Sequence, residues 1–309
     1  MPSFASDVKN ALARTDEERT CCRTAELAAL LRMGATARTE EGQGRGLRFE
    51  AASAAVARRV IRLLHNIDTE IETTVAQERT PQLRRRTYIV NIVAGASVTP
   101  LLTQLGFLEE GELRAGTDMA LLRKKCCRAA YLRGAFLGGG SVNRPEASCH
   151  LEIAAKSAAM GRALHALLRR LHFPVGLTDR HDTYVVYLKE GDAIMDFLAL
   201  IGAEEAAEEI EVARNLKEVR AQVNRLVNVE TANLQRAVDA AADQLVAIER
   251  LAAAGRLAML SDDLRETAEM RRAHPELSMA ELAALCHISK SGMSHRLRKI
   301  RKAAEEVSI

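Results

Sequence analysis

CCRAAYLRGAFLGGGSV, Cys126–Val142, is an apolar, helix-like run that ends in three glycines, and its reading decides the fold. An upstream stretch repeats it: CCRTAELAALLRMGA, Cys21–Ala35. Aligning Cys21 on Cys126 lays Arg23 on Arg128, Ala25 on Ala130, Leu27 on Leu132 and Gly34 on Gly139. Such self-similarity marks an internal duplication. A helix that is apolar on most sides is buried or packs closely on a copy of itself. Ala28, Ala29 and Ala35, with Gly134, Ala135, Gly138 and Gly139, are small enough to let two such backbones nearly touch. The expectation is two related subdomains meeting along these helices about a pseudo-two-fold axis.

The repeat continues outward. Ser53-Ala54-Ala55 recurs as Ser157-Ala158-Ala159, Leu63-Leu64 as Leu167-Leu168, and Thr87-Tyr88-Ile89-Val90 as Thr183-Tyr184-Val185-Val186. The last pair has a shorter offset, so the first copy carries extra residues, which fit Arg79–Arg86 with Pro81 and the run Arg84-Arg85-Arg86. Each copy reads as helix, strands, helix, strand pair and closing helix. In the first, a polar lead-in helix over 1–20 precedes the central helix Cys21–Met33, and the Gly-rich turn Glu40–Gly46 joins strands. Gly46–Ala51 is a strand, Ser53–Asn66 a helix with Val56, Val60, Leu63 and Leu64 on one face, and Glu70–Gln77 and Thr87–Ala94 are strands. Thr99-Pro100 opens the closing helix. In the second copy the pattern predicts a strand over Ser148–Ala155, a helix over Ser157–Leu171 capped by Ser157, a hairpin from Val175–Asp179 and Thr183–Lys189, and a helix over Asp192–Ile201. Between Ala203 and Ala254 there is neither Gly nor Pro, which predicts one or two long helices. A bend is expected at Asn224–Asn233.

With 309 residues, 48% hydrophobic and 28% charged, the chain has the make-up of an ordinary globular protein of two or three domains. A net charge of +3 gives no global argument for nucleic acid, whereas its distribution does. Six cysteines include the adjacent pairs Cys21-Cys22 and Cys126-Cys127, a pattern that suits neither a disulfide framework nor a C-x-x-C zinc motif. The expectation is reduced thiols, no metal ligand, no cofactor and a cytoplasmic protein, with a redox or metal site made from the two pairs as the alternative. No apolar leader or membrane-length run is legible.

Ser289–Lys302 holds Lys290, Arg296, Arg298, Lys299, Arg301 and Lys302 with no acid among them. Upstream, Asp262–His274 reads as a helix stopped by Pro275, and Ser278 caps Met279–Leu285 with Glu281 in capping-box position. Cys286-His287-Ile288 makes a turn, and Ser289 caps a second helix with Met293, Leu297 and Ile300 on one face. This is a helix-turn-helix. Ser291, His295 and Arg298 are candidates for base edges; Lys290, Arg296, Arg301 and Lys302 for phosphates; Ser289, Ser294 and Lys299 share the recognition helix.

The strings CCRTAELAALLRMGA, CCRAAYLRGAFLGGGSVNRPEASCHLEI, NRLVNVETANL and ISKSGMSHRLRKI resemble the WhiA family of bacterial transcriptional regulators across essentially the whole chain. The resemblance implies an α+β, duplicated LAGLIDADG-like αββαββα domain with pseudo-two-fold symmetry over 1–203 (halves about 1–112 and 113–203). A helical linker over 204–255 and an all-α helix-turn-helix domain over 256–309 follow. It further implies double-stranded DNA as partner, a role in sporulation and cell division, nucleoid association and, in actinobacteria, a WhiB-like iron–sulfur protein and RNA polymerase. The Ala- and Arg-rich composition fits an actinobacterial source. Homing endonucleases of this fold need an acid at the foot of each central helix to hold Mg²⁺ at the scissile phosphate. Laying their motif on Leu27–Ala35 and Leu132–Gly140 puts those acids at Gly34 and Gly139, so no catalytic residue is expected. Arg45, Arg48, Arg84, Arg85 and Arg86 on the strand saddle, and Asn224 and Arg225 in the linker, are candidate further DNA contacts. The function expected is a sequence-specific transcriptional regulator. The rivals are a nucleoid or division-coordinating protein with little sequence choice, and a residual metal-dependent nuclease.

Overall fold

The computed structural model describes residues 3–16, 19–40, 44–80, 85–109, 112–114, 116–181 and 183–307. By internal contacts the chain divides into two compact units, residues 1–216 and 217–309.

The first unit is built twice from one plan. After the lead-in helix α1 (Phe4–Leu12), the first copy runs α2 (Thr20–Gly34), β1 (Ala35–Glu40), β2 (Gly44–Ala51), α3 (Ala54–Ile67), β3 (Thr73–Thr80), β4 (Arg85–Ile92) and α4 (Val98–Gln104). A two-residue-per-strand hairpin follows, β5 (Leu108–Glu109) and β6 (Glu112–Leu113). The second copy runs α5 (Lys125–Gly139), β7 (Gly140–Val142), β8 (Leu151–Ala155), α6 (Ala158–Arg170), β9 (Gly176–Arg180), β10 (Thr183–Leu188) and α7 (Gly191–Ile201). The sheets have orders β1-β2-β4-β3 and β7-β8-β10-β9, antiparallel throughout and equivalent strand for strand. Ser53 and Ser157 cap equivalent helices by accepting from Val56 and Met160 N–H. Each satisfies an orphan donor of the first turn. The closing helix of the first copy starts at Val98, not at Thr99. Pro100 is then its third residue, still in the turn whose N–H groups have no helical acceptor.

The central pair α2 and α5 is the axis of the unit. Leu27, Leu30 and Leu31 on α2, and Leu132 and Phe136 on α5, are completely buried, each worth about 1.5–3 kcal/mol over an exposed position. Glycine is required where the helices cross. A Cβ on Gly134 would run into the carbonyl oxygen of Glu26, and one on Gly138 would sit 2.5 Å from Met33 Cβ. At this crossing lies a charge that the sequence reading missed. Glu26, fully buried, accepts from Arg59 Nε at 2.7 Å and Nη2 at 2.8 Å, and from Arg133 Nε at 2.9 Å. Arg59 comes from α3 of its own copy and Arg133 from α5 of the other, so one carboxylate joins both halves. Arg59 also donates to Thr15 O, and Arg133 to Ile201 O at 3.4 Å.

Helix α8 (Glu204–Ala253) is 50 residues long, begins in the first unit and ends in the second. It is unbroken: the bend expected at Asn224–Asn233 does not form, because Asn costs a helix little and no Pro interrupts it. In the second unit, α9 (Asp262–Ala273), α10 (Met279–Leu285) and α11 (Lys290–Glu305) pack on Ala247, Ile248 and Leu251 of α8 around a separate core.

Candidate nucleic-acid interface

The helix pair α10–α11 is assembled by local chemistry that the sequence states outright. Ser278 and Glu281 form a reciprocal capping box, Ser278 N–H donating to Glu281 Oε2 at 2.8 Å and Glu281 N–H to Ser278 Oγ at 3.3 Å. These hydrogen bonds from Ser278 hold the Glu281 carboxyl below its ordinary range. Helix α10 ends in a Schellman turn: Ile288 N–H donates to Ala283 O at 3.0 Å and His287 N–H to Ala284 O at 3.1 Å. His287 takes the left-handed conformation this turn needs, at φ +52°. That makes it a turn residue. Ser289 Oγ then accepts from Gly292 N–H at 3.1 Å and starts α11.

Along α11, Met293, Leu297, Ile300 and Ala304 are buried against Leu282, Ala283 and Ala268. The opposite face exposes Lys290, Ser291, Ser294, His295, Arg298, Lys299, Arg301 and Lys302, with Ser289 exposed at the cap. Donors of this kind, on a helix raised from its domain by an apolar seat, can enter a major groove and meet base edges and phosphates. Arg296 corrects the sequence reading. It is only 21% exposed and pairs with Asp263 at 3.3 Å and Glu266 at 3.9 Å, so in this structure it straps α11 to α9 and does not stand on the exposed face with the other donors. Arg271, buried on α9 by a signal the sequence hides, donates to Leu277 O at 2.7 Å and His274 O at 3.4 Å. It shapes the loop that leads into α10, and burial lowers its pKa.

The saddle of the first unit looks different. Arg48 lies between two carboxylates, Glu50 and Glu78, each at 3.2 Å, and the hydrogen bond from Glu78 first, then Glu50, raises its pKa. On the other sheet Glu152 faces Arg180 at 3.4 Å and His150 at 3.3 Å. Arg86 is exposed on β4. Arg45 and Arg85 are placed by backbone only, in β2 and β4, and Arg84 lies outside the described residues. Asn224 and Arg225 are exposed on α8.

At the feet of the central helices, Gly34 and Gly139 are the last residues of α2 and α5. A Cβ on Gly34 would lie 2.6 Å from the Phe49 ring, and one on Gly139 would strike Ala154 O and Met33 Cε. Both positions where the resemblance implies a metal-binding acid are thus packed shut by the sheets.

The opposite ends of the same helices bring together the two cysteine pairs, the alternative that the spacing argument set aside. Cys21, Cys22, Cys126 and Cys127 bring their four Sγ atoms within 4.8 Å of one another. Hydrogen bonds from Cys22 and then Arg19 bring the Cys126 thiol down to about 7, while burial, reinforced by Cys21, pushes Cys127 up to about 12. Adjacent cysteines in each pair offer no C-x-x-C spacing, and it is the packing of the two copies, start against start, that gathers the two pairs into one group of four.

Comparison with known proteins agrees with this architecture. Family models described as the WhiA N-terminal LAGLIDADG-like domain, the WhiA LAGLIDADG-like domain and the WhiA C-terminal HTH domain match residues 20–108, 128–220 and 223–304. A probable cell division protein WhiA from Desulfitobacterium hafniense (strain Y51) is 43% identical over 309 residues, covering 99% of this chain and 96% of that protein. One from Syntrophomonas wolfei is 40% identical, covering 99% and 98%. These relatives are Firmicutes and lend no support to an actinobacterial source. Among solved structures, full-length DUF199/WhiA from Thermatoga maritima superposes with a TM-score of 0.60 at 24% identity, over 99% of both chains.

Proposed function

The chain belongs to the WhiA family, and from that premise we propose that it is a sequence-specific DNA-binding transcriptional regulator acting in cell division and sporulation. The carrying observation is the exposed face of α11, where nine donor-bearing residues from Ser289 to Lys302 surround an apolar seat and no acid intervenes. The relatives are named for cell division, and the HTH family model covers this helix pair. The first unit serves as a catalytically inactive scaffold: both acid positions of the cleavage chemistry are glycines with no room for a side chain. We place the protein in the cytoplasm at the nucleoid; no described helix is long and apolar enough to cross a membrane. A WhiB-like iron–sulfur protein and RNA polymerase are partners proposed from the resemblance alone.

The test is binding to genomic target DNA across a salt series. Arg298→Ala is expected to weaken binding roughly tenfold to a hundredfold while the fold is retained, and unchanged affinity overturns the recognition helix. Log affinity should fall linearly with log salt, as counterion release demands. A genome-wide footprint separates regulation, with sharp motif-bearing sites, from compaction, with diffuse coverage. Incubation of target DNA with Mg²⁺ or Mn²⁺ addresses the nuclease rival, which site-specific nicking would favour.

A further inference from the structure

Helices α2 and α5 start side by side, and their second and third residues are cysteines in both copies: Cys21-Cys22 and Cys126-Cys127. All four Sγ atoms lie within 4.8 Å of one another. A tetrahedral ion with metal–sulfur bonds of about 2.3 Å holds its sulfurs about 3.8 Å apart, so the four are already close to a single tetrahedron. The symmetry also fits. A two-fold axis of a tetrahedron exchanges its vertices in two pairs, as the pseudo-two-fold here exchanges Cys21 with Cys126 and Cys22 with Cys127. One member of each pair is buried and the other half-buried, which leaves an ion an entry path.

The surroundings balance the charge. Four thiolates around a divalent cation carry a net charge of −2. They sit at two helix N-termini, whose positive dipole ends favour anions. Basic side chains flank both starts in sequence: Arg19 and Arg23 at α2, Lys124, Lys125 and Arg128 at α5. A charge of that sign is what a tetrathiolate centre needs around it.

We propose that Cys21, Cys22, Cys126 and Cys127 form a mononuclear tetrathiolate site for a divalent ion of the zinc type, which pins the N-terminal ends of the two central helices and so staples the two halves of the duplicated domain. The site is structural, because all four positions of the tetrahedron are filled by protein and none is left for water or substrate. It lies at the far end of the helices from Gly34 and Gly139, about 1.5 Å of rise per residue away over their 15-residue lengths. Binding releases a proton for every thiol that enters protonated and couples metal occupancy to folding of the first unit.

The experiment uses the full-length chain purified under reducing conditions, stripped with chelator and titrated with Co²⁺ and then Zn²⁺. The expected result is the intense visible absorption of tetrahedral thiolate cobalt, saturating at about one equivalent and displaced by zinc. Zinc should also protect the four thiols from alkylation. Cys21→Ser with Cys126→Ser should abolish the bands, whereas Cys149→Ser, an exposed cysteine outside the group, should keep them. If the double variant fails to fold, the cobalt titration of the unaltered chain still decides. Absence of tetrahedral cobalt bands, four thiols alkylated equally with and without zinc, iron and sulfide in cluster proportions, or a Cys22–Cys126 disulfide under reducing conditions would each overturn the proposal.

Discussion

Arginine does opposite work in the two units. In the first, Arg59 and Arg133 close on the buried carboxylate of Glu26, and Arg48 is held between Glu50 and Glu78. In the second, the cations of α11 stand outward on a helix whose first acid is Glu305, 3.9 Å from Arg301. The exceptions teach the same rule. Arg296 lies on the same helix but within reach of Asp263, and it becomes a strap. Which arginines are held against the protein depends on carboxylates brought close by the fold, and a count of basic residues does not reveal it.

The largest expected effect tests the buried end of this contrast. Glu26→Gln leaves Arg59 and Arg133 buried without their counter-charge, and removal of one partner from such a pair costs about 3–5 kcal/mol. Urea unfolding of the first unit should show it, with the helix-turn-helix transition unmoved; a loss below about 1 kcal/mol would mean the triad is only a bystander. Next comes Gly139→Asp, which restores an acid where the sheet leaves no space. Overpacking against Ala154 O should cost about 1–3 kcal/mol, and even together with Gly34→Asp it should confer no Mg²⁺-dependent cleavage. A stable, cutting double variant would break the reading of the helix feet. Arg296→Ala should destabilise the second unit by less than about 1 kcal/mol and leave the slope of log affinity against log salt in place. A slope lowered by about one would return Arg296 to the phosphates. Smallest of all, Arg48→Ala should leave DNA affinity unchanged within error, since its charge is already answered by Glu50 and Glu78. A clear loss would make the saddle a second DNA surface.

Much of the fold was legible in particular residues. The repeat of Cys21–Gly34 in Cys126–Gly139 gave the central pair, and Ser157, Ser278 and Ser289 carry the expected side-chain caps, as does Ser53, read only as a helix start. The seat of α11 followed from Met293, Leu297 and Ile300. Less could be read where a residue's role depends on a distant partner. Glu26 sits in an apolar run as an anomaly until Arg59 and Arg133 arrive from two other helices. Asn224–Asn233 looked like a bend because Asn favours turns, but helix propensity is a weak prior and the stretch stays helical.

The chain's covalent order, through periodicity, caps and the duplication, determined which segments become helices and strands and which helix offers donors to solvent, because those depend on neighbours a few residues away. Only tertiary packing decided that the lost acid positions are sealed by Phe49 and Ala154, that Arg48 and Arg296 are neutralised, and that two cysteine pairs become one group of four. Each of these is a distance of a few ångströms between residues far apart in the chain. Coulomb forces and sterics act on that distance, not on sequence separation.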